Sequence, residues 1–420
     1  MSDVTARKYR RGTNTRVSFP NLPSLEVQPS RIDLYQKQYS HDVMVLEYYS
    51  VSSLWFETIK TGAPITFTWN QDTLKKEWIG YVTAISKVDA PQRMNSMKLL
   101  CVGGSFPLKE RVTRVFENTT IPEVVEKIAS EYGFAFIGEP HEQRFSQLTI
   151  SGSSYWEWIQ EQAQKIGYGV LVDGMNFIFL PIDKLIDFGF SSAPFLSMGD
   201  SLAPFNTQFL DRTLDELKVI NGDNIEDTTN YRAVKNVGGV DPVTNQVYLS
   251  SDSPKDTGIN VRETNGQVLF SEYRTDRVIN DAKAAEAAAK GAAQMARFSI
   301  PATAKAQGDP RVRPFGTVFI SGTGTLTDGF WIVKEARHMF HKIGDYHLEL
   351  KLATDGVGVT VETPFRSRPN NEVGAVNLES ALKNKGVPAT YFDMGSVVLV
   401  TRDYVVQEAG QGFTSVWKAN

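Results

Sequence analysis

GFWIVKEARHMFHKIGDYHLELKLA, residues 329–353, holds three of the chain's five histidines: His338, His341 and His347. So dense a cluster in a histidine-poor chain invites a metal-site reading. The apolar pattern points elsewhere. Ile332, Ala336, His338 and Phe340 alternate along one run, and Leu348, Leu350 and Leu352 along the next. That is the period-two signature of strands with one buried face. His341-Lys342-Ile343-Gly344-Asp345 falls between the runs as a turn, so the stretch predicts a β-hairpin. In that register His338 and His341 point to opposite faces, because their spacing is odd. His347 lies on the face opposite the leucine row. A zinc site needs about four convergent ligands, which this hairpin does not offer. The segment is expected to be structural and to bind no metal.

The β signal extends to other parts of the chain. Between Ser30 and Phe106, RIDLYQKQY, VMVLEYYSV, APITFTW, EWIGYVTAIS and MKLLCVGGSF are rich in β-branched and aromatic residues. Turn signals at Gly62-Ala63-Pro64, Asp89-Ala90-Pro91 and Gly103-Gly104 separate them, which predicts a small sandwich or barrel. The pattern then becomes helical. Thr120 is an expected N-cap, with Pro122 and Glu123 in the first turn, and Ile121, Val124, Val125 and Ile128 form an apolar face that ends at Gly133. A second helix is capped by Ser154, carries Tyr155, Trp158, Ile159 and Ile166 on its apolar stripe, and stops at Gly167. GVLVDG and NFIFLP follow as a hairpin turning at Asp173-Gly174. Residues 113–181 thus read as an α/β unit. In the irregular region 187–265, DELKVING and QVYLS read as strands. VINDAKAAEAAAKGAAQMARFS is a strong helix, almost all Ala, Lys, Glu and Gln. TVFISG then leads into the opening hairpin.

The 420 residues include 41% hydrophobic and 22% charged positions, enough apolar content for packed cores. A net charge of −4 argues against wide non-specific contact with nucleic acid. A single cysteine, Cys101, excludes an intrachain disulfide and a four-thiolate metal site within one chain. The start, MSDVTARKYRRGTNTR, has no apolar run and does not read as a secretory signal. No stretch approaches the roughly 20 apolar residues of a membrane span. Arg7, Lys8, Arg10, Arg11 and Arg16 face one acid, Asp3, within residues 1–18. That arm, and the extension after Pro364 with its one expected strand SVVLVTRDYVV, lack apolar content for cores of their own and are read as docking arms.

Catalytic signatures are sparse. There is no Gly-x-Ser-x-Gly and no Gly-x-x-x-x-Gly-Lys-Ser/Thr. GYGVLVDG has only part of a dinucleotide fingerprint and leads into a strand. Glu157 and Glu161 share a helix face, and paired carboxylates could serve a glycan hydrolase. A helix beside an aromatic stripe also puts such a pair on its wet side by default. Trp55, Trp69 and Trp78 could form a sugar platform in a carbohydrate-binding protein, or sit in a β-core. No residue is assigned a catalytic, cofactor-binding or metal-binding role.

Three segments together resemble the baseplate hub proteins of phage tails, relatives of the tail tube proteins and of the hub part of type VI secretion spike proteins. HDVMVLEYYSVSSLWFETIKTGAPITFTWNQDTLKKEWIGYVTAIS, residues 41–86, resembles the first tube-like domain, with its turn at Gly62-Ala63-Pro64 and the strand Trp78-Ile79-Gly80-Tyr81-Val82. TIPEVVEKIASEYGF and SGSSYWEWIQEQAQKIGYGVLVDGMNFIFLP are similar to the inserted α/β domain. Residues 311–353 look like the closing half of the second tube-like domain, where His338 matches a histidine of the hairpin pattern. The resemblance covers about residues 30–356. It implies a mainly β, α+β chain: two tail-tube-like β-barrel domains, an inserted α/β domain and extended terminal arms. The implied division is an N-terminal arm at 1–18, a β-domain at 19–110 and the α/β domain at 111–185. The second β-domain takes 186–222 and 306–362. An insertion at 223–305 packs its Ala-rich helix on the α/β domain, and a C-terminal extension fills 363–420. It further implies a non-enzymatic homotrimeric ring in the virion tail baseplate, made in the host cytoplasm, with no cofactor and no membrane insertion. That ring would join a sixfold tail tube protein to a threefold central spike protein, contact other baseplate proteins and the tape measure protein, and meet genomic DNA only in passage.

Overall fold

In the computed structural model, residues 13–354 are described except 23–27, 50–56, 72–73, 89–94, 183, 186–193, 199–210, 220–233, 241–244, 253–270, 276–281, 297, 299, 324–328 and 342–344. The docking-arm expectations at 1–12 and 363–420, and Trp55, lie outside these residues. Strand makes up 62% and helix 18% of what is described, so the class is mainly β.

Period-two apolar alternation builds the first half of the main sheet. β2 (Arg31–Lys37), β3 (Val43–Tyr49), β4 (Pro64–Gln71), β5 (Leu74–Val88) and β6 (Ser96–Gly103) are joined by β1 (Thr13–Ser18) in the order β1-β4-β5-β6-β3-β2. β1 corrects the arm expected at 1–18. Residues 13–18 pair antiparallel with β4, Thr15 opposite Trp69, and Val17 is fully buried. A β-branched pair of positions with an open sheet edge to dock on is enough to fold a segment whose charge suggests a tail.

The second half consists of β12 (Phe195–Met198), β13 (Asp211–Val219), β17 (Ile300–Gln307), β18 (Thr317–Ser321), β19 (Gly329–His341) and β20 (Tyr346–Thr354). These close into a six-stranded barrel, β19-β18-β12-β13-β17-β20, because β19 also pairs with β20. The expected hairpin is β19 and β20. Its buried row is shifted, however. A β-bulge at Lys334 changes the phase, so Trp331 and Val333 precede Ala336, His338 and Phe340 in the main core, and Ile332 is buried outside it. β17 corrects the insertion boundary expected at 305. Its Ala302, Ala304 and Ala306 alternate inward and are buried, so residues 300–305 belong to the barrel. Alanine's helix preference is overridden where a barrel interior needs small side chains.

The two halves repeat one connection order. β2-β3-β6-β5-β4 in the first matches β13-β17-β20-β19-β18 in the second. The likeness reaches single atoms. The Val82 N–H donates to Ala63 O at 3.0 Å and Val82 O accepts from Gly62 N at 2.7 Å. Val333 does the same with Gly316 and Phe315, at 2.9 and 3.0 Å. Gly62 and Phe315 both have positive φ, 84° and 63°, and the next residue of each long strand, Thr83 or Lys334, is bulged. Glycine takes that backbone freely; Phe315 is held there with its ring buried edge-on against Tyr39.

Between the halves sits the α/β unit, with its own core. It has α1 (Ile121–Glu131), α2 (Tyr155–Ile166), a β7–β9 ribbon (Arg111–Thr120 with Arg144–Ser154), and the sheet β10-β11-β8 (Tyr168–Asp173, Asn176–Pro181, Ala135–Gly138). Thr120 and Ser154 both form capping boxes, with Glu123 and Glu157, and Gly167 closes α2 at φ 71°. These ends were readable because each cap is a local contact within four residues. The β7–β9 ribbon was not foreseen. Its strands are 10 and 11 residues long but sparsely buried, so they lack clean alternation.

The insertion between β13 and β17 carries β14 (Val234–Val240), β15 (Val247–Asp252), β16 (Ser271–Thr275) and α3 (Ala282–Ala296). Ala285 and Ala289 of α3 pack on Val237. Gly291 lies against the end of α2: a Cβ there would stand 2.7 Å from the Gly167 backbone nitrogen. The alanine-rich face is thus what permits close helix approach.

Candidate functional site

The halves meet where the second part of β19 pairs with β2, from Glu335 opposite Lys37 to His341 opposite Arg31. At this junction the histidine motif, part of the second half, pairs with the first half. The His338 side chain is fully buried. Its Nδ1 lies 2.7 Å from the Tyr346 hydroxyl, and its ring lies 6.1 Å from that of Trp69, which belongs to β4. Burial pushes the His338 imidazole down to about 3, so it stays neutral, and pushes the Tyr346 phenol well up. His341 is exposed at the strand end, its N–H donating to Asp345 O at 2.9 Å. His347 is exposed opposite Met339. The three rings are therefore distributed between the core and the surface.

Beside His338 lies a buried charge cluster that local sequence could not reveal. Arg212 on β13 and Asp309 after β17 form an ion pair at 3.1 Å, with both side chains at 0% exposure. Arg311 adds bonds to Asp309 at 2.8 and 3.0 Å. Arg212 lies almost a hundred residues before Asp309 and Arg311, so the closed barrel is what brings it to them.

The residues of the rival readings lie elsewhere. Glu157 accepts from the Ser154 N–H at 2.9 Å, which holds its carboxylate below the usual range, and Glu161 pairs with Lys165 at 2.9 Å. One is thus a cap and the other part of a surface i,i+4 pair. Trp69 and Trp78 are each 5% exposed and belong to the main core, so they offer no sugar platform.

What the repeat does create is one broad surface. β13-β17-β20-β19-β2-β3-β6-β5 is a continuous run of eight strands, four from each half. Its inner face carries the core. Its outer face carries interleaved charge: Lys305–Glu216 at 2.6 Å, Lys351–Glu335 at 2.7 Å, Lys37–Glu335 at 3.0 Å, Arg337–Glu349 at 2.8 Å and Lys98–Glu47 at 3.5 Å. A groove of about 650 Å³ runs over this face at the junction, bordered by Tyr35, His41 and Arg337. Such exposed pairs add little stability. They do neutralise the wall.

No protein-family profile and no curated protein sequence matches this chain. Solved structures do. The tail protein from Neisseria meningitidis MC58 aligns with a TM-score of 0.57 at 12% identity, over 83% of this chain and 98% of that one. The 43 kDa tail protein of prophage MuSo2 from Shewanella oneidensis aligns at 0.58 and 12% identity, over 82% and 98%. The chain has the phage tail-protein fold. The E. coli c3393 protein shares it at TM-score 0.50 and 9% identity, over 80% of this chain and 76% of that one. That protein is described as a component of the type VI secretion system with structural similarity to the T4 bacteriophage tail proteins gp27 and gp5.

In this tail-protein fold the α/β unit is clamped to both halves. Asp173 of its hairpin pairs with Lys76 of the first half at 3.2 Å and with Arg313 of the second at 3.4 Å. Next to that clamp Asp42 is buried, accepting from Gln36 Nε2 at 2.7 Å. Burial pushes its carboxyl up to about 7 despite that bond. A raised carboxyl contributes stability below the unfolded range, near ~4, and that contribution is lost as pH rises through the folded value. At pH 8 the folded chain must hold a buried carboxylate. Asp42→Asn is therefore expected to melt several degrees above the native chain at pH 8, with the gap closing toward pH 4. Thermal melts across that range check it; a gap that does not change with pH contradicts it.

Proposed function

We propose that this chain is a structural hub protein of a phage tail baseplate or a related injection machine. Three copies form a ring of six tube-like units that joins a sixfold tail tube to a threefold spike and lets DNA pass. The observation that carries this reading is the twofold repeat of one five-strand order within the chain, fused through β19 and β2 into a single eight-stranded run. Two units per chain complete six with three chains. Head-to-tail contacts that close give cyclic rings.

The outer face of the eight-stranded run supports a lumen role. Lys37, Lys98, Lys305, Lys351 and Arg337 on this face are matched by Glu47, Glu216, Glu335 and Glu349, which reduces the free positive charge offered to passing phosphates. In this reading the α/β unit and the insertion stand outside the ring. The partners are the tail tube protein, the central spike protein, other baseplate proteins and the tape measure protein. The segments 1–12 and 363–420 act as docking arms, the site is the tail baseplate of the virion, and the chain performs no catalysis.

Size-exclusion chromatography with light scattering tests the assembly. The expected mass is three times the 46.8 kDa of one chain. A single-chain mass that persists at high protein concentration overturns the ring.

A further inference from the structure

The sheet of the insertion has an apolar edge strand without the usual guards. Its order is β15-β14-β16, and β15 pairs with β14 alone among the described residues. α3 packs on one face of this sheet, where Ala285 and Ala289 meet Val237. Side chains alternate along a strand, so Val247 and Leu249 of β15 lie on the other face, with Val240 of β14 opposite Val247. Val247 is 73% exposed, Leu249 62% and Val240 49%. Leu249 lies over Gly238, where an added Cβ would stand 3.0 Å from Leu249 Cδ1. Sheet edges are ordinarily protected by charge, proline or a bulge. β16, at the other edge, carries the exposed Arg274. The β7–β9 ribbon carries Arg111, Arg114, Glu117 and Arg144. β15, VYLSSD, has no proline, lysine or arginine, pairs with β14 in an unbroken register, and has one charge, at its last residue Asp252. Such an edge accepts a further strand.

We infer that residues 396–406, SVVLVTRDYVV, add to the β15 edge of the same chain as a fourth strand of the insertion sheet. This takes up the docking-arm reading of 363–420 and gives that arm a target; it does not need the ring. Three observations select this occupant. The first is chemistry. Seven of the eleven residues are Val, Leu or Tyr, so the segment brings apolar side chains beside Val247 and Leu249. Cross-strand apolar pairs of this kind are what stabilises a sheet. The second is position. Thr354, at the end of β20, lies opposite Ile300, four residues past the end of α3 at Ala296. α3 is the helix that packs on β14 and β15. The chain therefore leaves the barrel where the insertion is rooted. The third is reach. The 41 residues of 355–395 can span well over ~100 Å when extended, against about 22 Å for the length of α3. A flexible connection within one chain raises the effective concentration of the segment at its own edge, which favours it over a strand from a separate protein.

Hydrogen–deuterium exchange of the full-length chain, read by mass spectrometry, tests the docking from both sides. In the native chain, residues 396–406 are expected to exchange at least about tenfold more slowly than a free chain does. Val398→Asp with Val400→Asp puts two charges into the added strand and is expected to speed exchange at 247–252 about tenfold or more. Leu249→Asp is expected to do the same at 396–406. Leu249 is exposed, and unchanged exchange at 332–341 in β19 shows that each variant keeps its barrel. Should Leu249→Asp also release 234–240, the arm variant alone decides. Free-chain exchange at 396–406 in the native protein overturns the inference. So does protection there that Leu249→Asp leaves untouched while the arm substitutions leave β15 untouched, which puts the segment on another surface. Protection that vanishes on dilution to a single-chain mass gives the edge to a neighbouring copy and also overturns it. None of these results bears on the ring, which the mass by light scattering decides.

Discussion

Replacing Asp309 by alanine is expected to cost the chain about 3–5 kcal/mol, the loss typical when one member of a buried ion pair is removed. Asp309 is fully buried and is the shared counter-ion of Arg212 and Arg311. Without it the guanidinium of Arg212, at 0% side-chain exposure, remains as a buried charge with its counter-ion removed. Arg311 retains 11% exposure and can turn toward water, so most of the cost comes from Arg212. The cluster also borders Tyr346, whose ring a Cβ on Gly308 would strike at 2.1 Å, so the polypeptide at 308–309 has no room to relax. Denaturant unfolding followed by circular dichroism measures the loss. A second variant, Asp309→Leu with Arg212→Met, removes both charges and is expected to recover much of it, since an apolar pair of similar volume is often no worse than the ion pair. A single-variant loss under 1 kcal/mol contradicts the account.

Phe340→Ala is the second large effect, again about 3–5 kcal/mol, from lost burial plus the cavity left behind. The Phe340 ring stacks on Tyr346 at 4.3 Å with 15° between planes. It meets Phe67 at 5.2 Å and Trp69 at 5.9 Å, both edge-on and both from the first half. This ring therefore fills the wall between the two halves and belongs to the core they share. Removing it should loosen the junction before either half unfolds. Urea unfolding monitored by tryptophan fluorescence and by far-ultraviolet circular dichroism is expected to coincide for the native chain and to separate for the variant, fluorescence moving first because Trp69 and Trp331 report the junction and its barrel. Phe340→Leu, which keeps most of the volume, is expected to lose roughly a third as much. Equal stability of Phe340→Ala and the native chain would place the ring outside the load of the core.

The resemblance drawn from residues 41–86, 120–181 and 311–353 agrees with the structural likeness to tail proteins, although identity to those structures is only 12%. What such distant chains keep in common is the order of strands and turns. Within this chain the glycine turn at residues 62–64 and the turn at residues 315–316 show the same backbone geometry despite different side chains. The eight-stranded face had no such signature. Lys37, Glu335 and Lys351 sit on three different strands, and no sequence window contains them together.

Local order was therefore written in the sequence. The caps at Thr120, Ser154 and Gly167, the period-two rows of β2 to β6, and the hairpin that separates His338 from His341 all follow from contacts within a few residues or from one buried face. Tertiary structure alone decided the rest. The bulge at Lys334 shifts the β19 row because one strand must serve two successive partners along the same edge. Residues 300–307 form a strand against alanine's helical preference because the closing barrel needs narrow side chains between β13 and β20. Residues 13–18 are drawn from a basic arm into the sheet by an edge that β4 leaves open. In each case the deciding energy comes from a surface or hydrogen-bond edge contributed by a distant segment, which does not exist until the chain has folded around it.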